Sequence, residues 1–261
     1  MGRSEVSTRK TLSVFLTVLA LWGVARAAGA AEIKILSAGA VRPAVAGFAE
    51  TFRSLTGHEI KFSFGTVGAL QQKIAAGEQA DLFFMTDAAI DELARKGLVV
   101  QGTRTDVARV GVGIGVREGA PKPDISTPEA LKQTLLSAKS LVYMDPARGG
   151  TSGIHFAGVL ERLGIADAVR PKTTLFPSGY AADLVAKGEV ELVVHQISEI
   201  LAVKGVTLVG PLPREVQKVT IYSAGLAANA TAPDAAKAFL EFLTSPPARL
   251  KFIEVGLEYK E

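Results

Sequence analysis

The stretch LVYMDPARGGTSGIHFAGVLERLG, residues 141–164, predicts a β-strand, a glycine-rich turn and an amphipathic helix in direct succession. The unpaired N–H groups at a helix N-terminus carry the positive end of the helix dipole, so such a turn can hold a carboxylate or an oxyanion. Gly150, Thr151 and Ser152 would supply donors, and Arg148 a positive charge. The alternative is that Thr151 or Ser152 only caps the helix while the glycines only form the turn.

Similar turns follow other predicted strands. EIKILS at 32–37 leads through Gly39 into a helix, and EIKFSF at 59–64 leads through a glycine-bearing turn into the next. DLFFM at 81–85 is an unbroken apolar run, which is typical of a buried parallel strand. This β-α-β-α-β order predicts an α/β fold with a doubly wound parallel sheet.

A second α/β set begins at residue 141 and includes the strand ELVVH at 191–195. Residues 206–213 are interpreted as a linker back to the first set, which the strand 219–228 and the helix 233–243 rejoin. We therefore predict one lobe from residues 32–106 plus 213–261, and another from residues 107–212. In open α/β sheets ligands bind outside the carboxyl ends of the strands, so the turns of both sets are expected to face one cleft.

The N-terminus predicts a secretory signal peptide over residues 1–30. Arg3, Arg9 and Lys10 precede an apolar run at 11–25, and small residues follow it. Cleavage sites end at Ala27 and Ala30, and a retained membrane anchor is the alternative.

Removal of residues 1–30 balances the charges of the chain. It takes away four of the 29 Lys and Arg and one of the 26 Asp and Glu, so the basic isoelectric point gives no argument for a nucleic-acid partner. The chain has no cysteine, and its three histidines lack metal-ligand spacing. The glycines at 111, 113 and 115 lie within one strand and do not form a nucleotide fingerprint. We expect no metal site and no cofactor.

Three longer motifs resemble a known family. FSFGTVGALQQKIAAGEQADLFF at 62–84, LVAKGEVELVVHQ at 184–196 and PDAAKAFLEFLTSPPARLKFIEVGL at 233–257 are similar to segments of the periplasmic molybdate-binding proteins of ABC transporters. The resemblance implies the two-lobed type II periplasmic binding-protein fold, in which each lobe is a mostly parallel sheet flanked by helices and the cleft lies between the lobes. It also implies a monomer in the periplasm that delivers a small anion to a membrane permease.

The ligand positions depart from this family. The family holds its oxyanion with hydroxyls in the first two turns, backbone N–H groups in two later turns, and a tyrosine. The matching positions here are Ala40 and Val67 without hydroxyls, Ser152 and Ser178 with them, and His195 in place of the tyrosine. The expected ligand-binding residues are Gly39, Ala40, Arg42, Thr66, Val67, Arg148, Gly150, Thr151, Ser152, Ser178, Gly179, His195 and Gln196. Because guanidinium groups pair bidentately with carboxylates, this set favours an organic acid over molybdate.

Two functions from different classes remain open. The first is a transport receptor whose lobes close on the anion without chemistry. The second is a cofactor-free isomerase of an unsaturated tricarboxylic acid, the aconitate isomerase type, which a few proteins resembling this family are. In that case His195 would be the base, with Glu199, Tyr143 or His155 as second groups, while Arg42 and Arg148 would hold carboxylates.

Overall fold

A computed structural model describes residues 29–258, so nearly all of the predicted signal peptide lies outside the described residues. The strands are β1 Glu32–Ala38, β2 Glu59–Gly65, β3 Leu82–Thr86, β4 Thr105–Arg117, β5 Leu141–Met144, β6 Thr173–Phe176, β7 Leu192–Gln196, β8 Val206–Pro211 and β9 Val219–Leu226. The α-helices are α1 Arg42–Thr56, α2 Val67–Ala75, α3 Asp87–Arg95, α4 Pro128–Ser137, α5 Thr151–Arg162, α6 Ala166–Val169, α7 Ala182–Ala186, α8 Ile197–Leu201, α9 Pro233–Leu243 and α10 Pro246–Glu254.

The strands follow the order β2-β1-β3-β9-β4-β7-β5-β6, with β8 paired to β4. β1 runs parallel to β2 and β3, and β5 runs parallel to β6 and β7. β9 is antiparallel to β3 and β4, and β4 is antiparallel to β7 and β8. Helices flank this sheet, and the predicted α/β class is confirmed.

The long strand β4 connects the two α/β sets. Its residues 105–111 pair with β9, and its residues 112–116 pair with β7. The buried apolar clusters change over at the same place, since Val110 packs with the first set and Val112 with the second. The lobe boundaries that the sequence predicts, after residues 106 and 212, stay a prediction.

Residues 206–211 form strand β8, so their interpretation as a linker was wrong. The reason lies in two glycines of β4. A Cβ on Gly113 would lie 3.1 Å from Leu208 Cδ1, and a Cβ on Gly115 would lie 3.0 Å from Val206 Cγ1 and 2.9 Å from Ile200 Cγ2. The missing side chains let β8 and α8 pack directly on β4, which fixes the position of α8 and of the residues it carries to the cleft.

Asp81 ties the first set together. Its carboxylate accepts hydrogen bonds from the N–H of Lys34 (2.8 Å), the N–H of Thr231 (2.6 Å), the Thr231 hydroxyl (3.0 Å) and the N–H of Ala232 (2.9 Å). Burial acts to raise the pKa of Asp81, but the hydrogen bonds from Lys34, Ala232 and Thr231 together outweigh it and lower the pKa below its ordinary value. The ionised form is therefore the one that the fold stabilises.

We expect Asp81→Asn to lower the free energy of unfolding by about 3 kcal/mol at neutral pH, because an amide cannot accept from all four donors. Since the folded pKa is depressed, this stabilisation is fully present above the unfolded pKa of about 3.9 and is lost as the pH falls through the folded value. Urea unfolding at neutral and acidic pH measures both effects. Asp167→Asn, at an exposed position, is the control, and equal stability of the two variants would contradict this account.

Candidate functional site

The turns at the carboxyl ends of the parallel strands meet in one cavity with about 570 Å³ of space, part of it open to solvent. Of the residues expected to bind the ligand, all except Arg148 line this cavity. The turns after β1, β2, β5, β6 and β7 all contribute to it, because the two parallel sets run in opposite directions along β4 and point their carboxyl ends at each other.

The donor side of the cavity is built from helix N-termini. α2 begins at Val67 and α5 begins at Thr151, and both residues line the cavity. The first turn of α2 is partly occupied, since the N–H groups of Gly68 and Ala69 already have partners, but α5 has no side-chain cap and its first N–H groups suit an anion. Ser152 is buried beside them, and Ser178 lines the exposed side.

The Thr66 hydroxyl is already engaged. It accepts a hydrogen bond from the N–H of Ala69 (3.1 Å) and donates one to the carbonyl of Arg148 (2.5 Å). It therefore caps α2 and joins the turn before α2 to the turn before α5, across the edge of the cavity.

Two glycines complete that junction. The Gly68 N–H donates to the Gly149 carbonyl at 3.3 Å, and a Cβ on Gly68 would lie 2.7 Å from Gly149 Cα. Gly149 also has a φ of 70°, a conformation that favours glycine. The absence of a side chain at positions 68 and 149 thus allows the two backbones to approach closely.

Arg42 lies at the mouth of the cavity, at the first position of α1. Its guanidinium carbon is 5.0 Å from the centre of the Phe64 ring and 5.6 Å from the centre of the Tyr180 ring. Cation–π contacts with these two rings stabilise the position of the guanidinium. Sequence reasoning missed Phe64 and Tyr180, although Phe64 lies near the end of β2 and Tyr180 lies in the turn already singled out.

The floor of the cavity carries a buried histidine and a buried carboxyl group. His195, at the end of β7, is 1% exposed, and Glu199, in the first turn of α8, is 5% exposed. His195 Nδ1 lies 3.1 Å from Glu199 Oε2, and its Nε2 lies 3.4 Å from the Gly179 carbonyl oxygen. The structure therefore joins the predicted base to one of its predicted second groups.

Neighbouring residues fix the position of Glu199. A Cβ on Gly39 would lie 2.8 Å from Glu199 Oε1, so this glycine provides room for the carboxyl group. The Ser198 hydroxyl donates to the Ala40 carbonyl at 2.7 Å and ties α8 to the turn after β1. Gly39 and Ala40 line the cavity, and they also position the acid in its floor.

Gln196 and Tyr222 form a second buried polar pair. Gln196 Nε2 donates to the Tyr222 hydroxyl at 3.3 Å, while Gln196 Oε1 has no hydrogen-bond partner. Burial above all, and then the charge of Glu199, raises the pKa of Tyr222, so its phenol is neutral. Tyr222 was missed from the sequence because it lies inside β9 rather than at a turn.

Three residues that the sequence suggested for the site do not line the cavity. The Arg148 side chain is 65% exposed, with Nε 3.8 Å from Asp145 Oδ2, so it contributes its carbonyl to the junction and not its charge to the cavity. Tyr143 packs edge to face on Phe156, with ring centres 5.1 Å apart, and lines a separate recess. His155 Nε2 contacts the Val216 carbonyl at 2.8 Å, and burial lowers its pKa. We therefore remove Arg148 from the expected ligand-binding residues, and Tyr143 and His155 from the expected second groups.

Within residues 29–258 no group of three or more His, Cys, Asp or Glu could hold a metal ion. The same residues include no helix long and apolar enough to cross a membrane.

Comparison with known proteins adds the following. The family model of bacterial extracellular solute-binding proteins matches residues 33–258. An aconitate isomerase from a Pseudomonas species is 32% identical over 254 residues, which cover 95% of this chain and 95% of that protein. The molybdate-binding protein ModA of Escherichia coli K12 is 28% identical over 262 residues, covering 97% of this chain and 99% of that protein.

Among solved structures, the periplasmic molybdate-binding protein of Azotobacter vinelandii superposes with a TM-score of 0.71 at 18% identity, over 88% of this chain and 100% of that one. The periplasmic binding-protein fold and the resemblance to the molybdate-binding proteins are thereby confirmed.

Proposed function

The chain belongs to the family of bacterial extracellular solute-binding proteins, and from this premise we propose that its cleft binds a small organic polycarboxylate. The observation that carries the proposal is Arg42, whose guanidinium contacts the rings of Phe64 and Tyr180 at the mouth of the cavity. A guanidinium pairs bidentately with a carboxylate, and the N-terminus of α5, which has no side-chain cap, offers N–H groups to a second one.

The lining argues against molybdate. A small tetrahedral dianion needs several neutral donors around it, and Ala40 and Val67 supply no side-chain donor at the two family positions. The Thr66 hydroxyl is engaged with Ala69 and Arg148.

The proposed setting follows from the family. The protein acts in the periplasm as a monomer after removal of residues 1–30, and the closed lobes present the anion to the membrane permease of an ABC transporter. No cofactor takes part.

A thermal-shift panel tests the proposal on the purified chain without residues 1–30. We expect citrate, cis-aconitate or trans-aconitate to raise the melting temperature, because a ligand at a hundred times its Kd stabilises by about 2.7 kcal/mol. Molybdate, tungstate, sulfate and phosphate are the comparison anions. Stabilisation by molybdate alone would reject the polycarboxylate.

A second candidate function is isomerisation of an unsaturated tricarboxylate without a cofactor. The buried contact between His195 and Glu199 favours it, as does the 32% identity to an aconitate isomerase. In a 1,3-proton shift the neutral imidazole takes a proton from the methylene carbon, and the double bond moves by one position. The same proton then returns to the other end of the allylic system, so no redox partner is required.

In this mechanism the helix N-termini and Arg42 would stabilise the negative charge that develops on the carboxylate next to the deprotonated carbon. Glu199 would accept the Nδ1 hydrogen and hold the imidazole in place, and Nε2 would act as the base in this tautomer after turning from the Gly179 carbonyl to the substrate. Incubation of the purified chain with trans-aconitate, followed by chromatography for the cis isomer, separates an enzyme from a receptor.

A further inference from the structure

The hydroxyl of Tyr222 lies at the buried end of the cavity. Tyr222 is 2% exposed, and it lines the cavity although it lies inside β9 and not in a turn. Three groups act on its hydroxyl, namely the Gln196 amide, the Thr151 side chain and the Glu199 carboxyl group, and all three residues line the same cavity. The hydroxyl end of the ring therefore faces the cavity.

The phenol oxygen of Tyr222 is already used as an acceptor. Gln196 Nε2 donates to it at 3.3 Å. Burial raises the pKa of Tyr222 overall, while the Thr151 side chain acts against this rise, as a hydrogen bond donated to the phenol oxygen does. Gln196 Oε1 has no partner, so the phenol hydrogen is not bound to it. Among the described residues the hydrogen of the Tyr222 hydroxyl is thus left without an acceptor.

A buried donor without an acceptor is costly, so such a group calls for a partner in the working protein. The first turn of α5 lies beside this hydroxyl, since Thr151 is its first residue, and no side chain caps the helix. We propose that Tyr222 and the N-terminus of α5 form a carboxylate subsite of uncharged donors, in which the Tyr222 hydroxyl donates to the ligand. This inference rests on the proposed binding of a polycarboxylate.

The two carboxylate positions of the cavity then differ in kind. Arg42 at the mouth carries a full charge and is exposed, so salt screens its attraction for a carboxylate. The donors at Tyr222 and α5 are uncharged, and Tyr222 is buried. Salt should therefore weaken citrate binding mainly through Arg42, so that Tyr222→Phe keeps most of the salt dependence of the wild type and Arg42→Ala loses most of it.

Tyr222→Phe tests the subsite, because it removes the hydroxyl and keeps the ring. In calorimetric titration with citrate we expect its Kd to rise about tenfold or more, as for a lost hydrogen bond to a charged group. Gln196 Nε2 also loses its acceptor in this variant, but it does so with and without ligand, which lowers the melting temperature rather than the affinity. Tyr143→Phe removes a hydroxyl outside the cavity and should stay within about twofold of the wild type.

A direct readout separates a ligand contact from a structural role. The chain has four tyrosines, so protein labelled with ¹³C at the tyrosine Cζ gives four NMR signals. The signal that is missing in Tyr222→Phe belongs to Tyr222. We expect citrate to shift this signal, because the hydroxyl gains an acceptor, while the signal of Tyr143 stays in place. A hydroxyl that only supports Gln196 would leave both signals unchanged.

The outcomes are distinguishable. Wild-type affinity in Tyr222→Phe, or a Tyr222 signal that does not move at saturating citrate, overturns the subsite and leaves the polycarboxylate standing. The opposite orientation of the Gln196 amide, with Oε1 accepting the phenol hydrogen, would give this result. Binding of molybdate in place of citrate rejects the polycarboxylate and the carboxylate subsite with it.

Discussion

Arg42→Ala is expected to weaken citrate binding tenfold to a hundredfold. A charge-assisted hydrogen-bonded contact contributes about 1.5 to 3 kcal/mol, and the guanidinium at the cavity mouth is already positioned by its contacts with Phe64 and Tyr180. Arg42→Lys keeps the charge but loses the planar fork, so it should recover only part of the affinity. Isothermal titration at a fixed pH and salt concentration measures all three proteins.

Arg148→Ala provides a control matched in charge. Its side chain is 65% exposed and lies outside the cavity, while its carbonyl, which accepts from Thr66, is kept in the variant. We expect its affinity to stay within about twofold of the wild type, as is usual for an exposed charge. If both arginine variants bind as the wild type does, Arg42 does not hold the ligand and the polycarboxylate proposal loses its main support.

His195→Gln is expected to lower the turnover of trans-aconitate by about a hundredfold or more if the chain is an isomerase, because the proton transfer loses its base. Affinity should change far less. In a pure transport receptor the same variant changes only the affinity and its pH dependence. Rates from chromatography and Kd values from titration, measured on the same preparations, separate the two functions.

His155→Gln is the control for this experiment, because His155 contacts the Val216 carbonyl and does not line the cavity. Its turnover should equal that of the wild type. Measurable wild-type turnover that survives in His195→Gln would mean that another group moves the proton.

The sequence was most informative at the strand ends. A strand followed by a glycine-bearing turn and a helix is a local pattern, and ligands bind outside the carboxyl ends of such strands, so the turns of both sets were expected to face one cleft. Gly39, Val67, Gly150 and His195 could therefore be assigned to one cavity before the structure was known, and they all line it.

The residues that were missed depend on contacts between distant parts of the chain. Tyr222 lies inside β9 and reaches the cavity because β9 pairs with β3 and β4 in the middle of the sheet. β8 forms because the glycines of β4 leave room for it, while its flanking prolines suggest a linker. Pairing of this kind leaves no local signal.

The sequence also could not predict the direction in which a side chain points. Arg148 ends a short 3₁₀ turn, Pro146–Arg148, in which the Asp145 carboxylate accepts from the Ala147 N–H, and the Arg148 side chain is 65% exposed. Sequence spacing placed the residue in the correct loop but could not give its orientation. Glu199 was likewise only one of three second groups expected beside His195. Its contact with His195 arises because α8 starts directly after β7.

Calorimetric titration of the purified chain without residues 1–30, with citrate and molybdate under identical conditions, decides which anion the cleft binds. We expect a clear binding isotherm for the tricarboxylate and an affinity for molybdate at least about a hundredfold weaker, a difference of about 2.7 kcal/mol. A submicromolar Kd for molybdate, with no heat from citrate, would contradict it and would mean that backbone N–H groups alone suffice to hold the metal oxyanion.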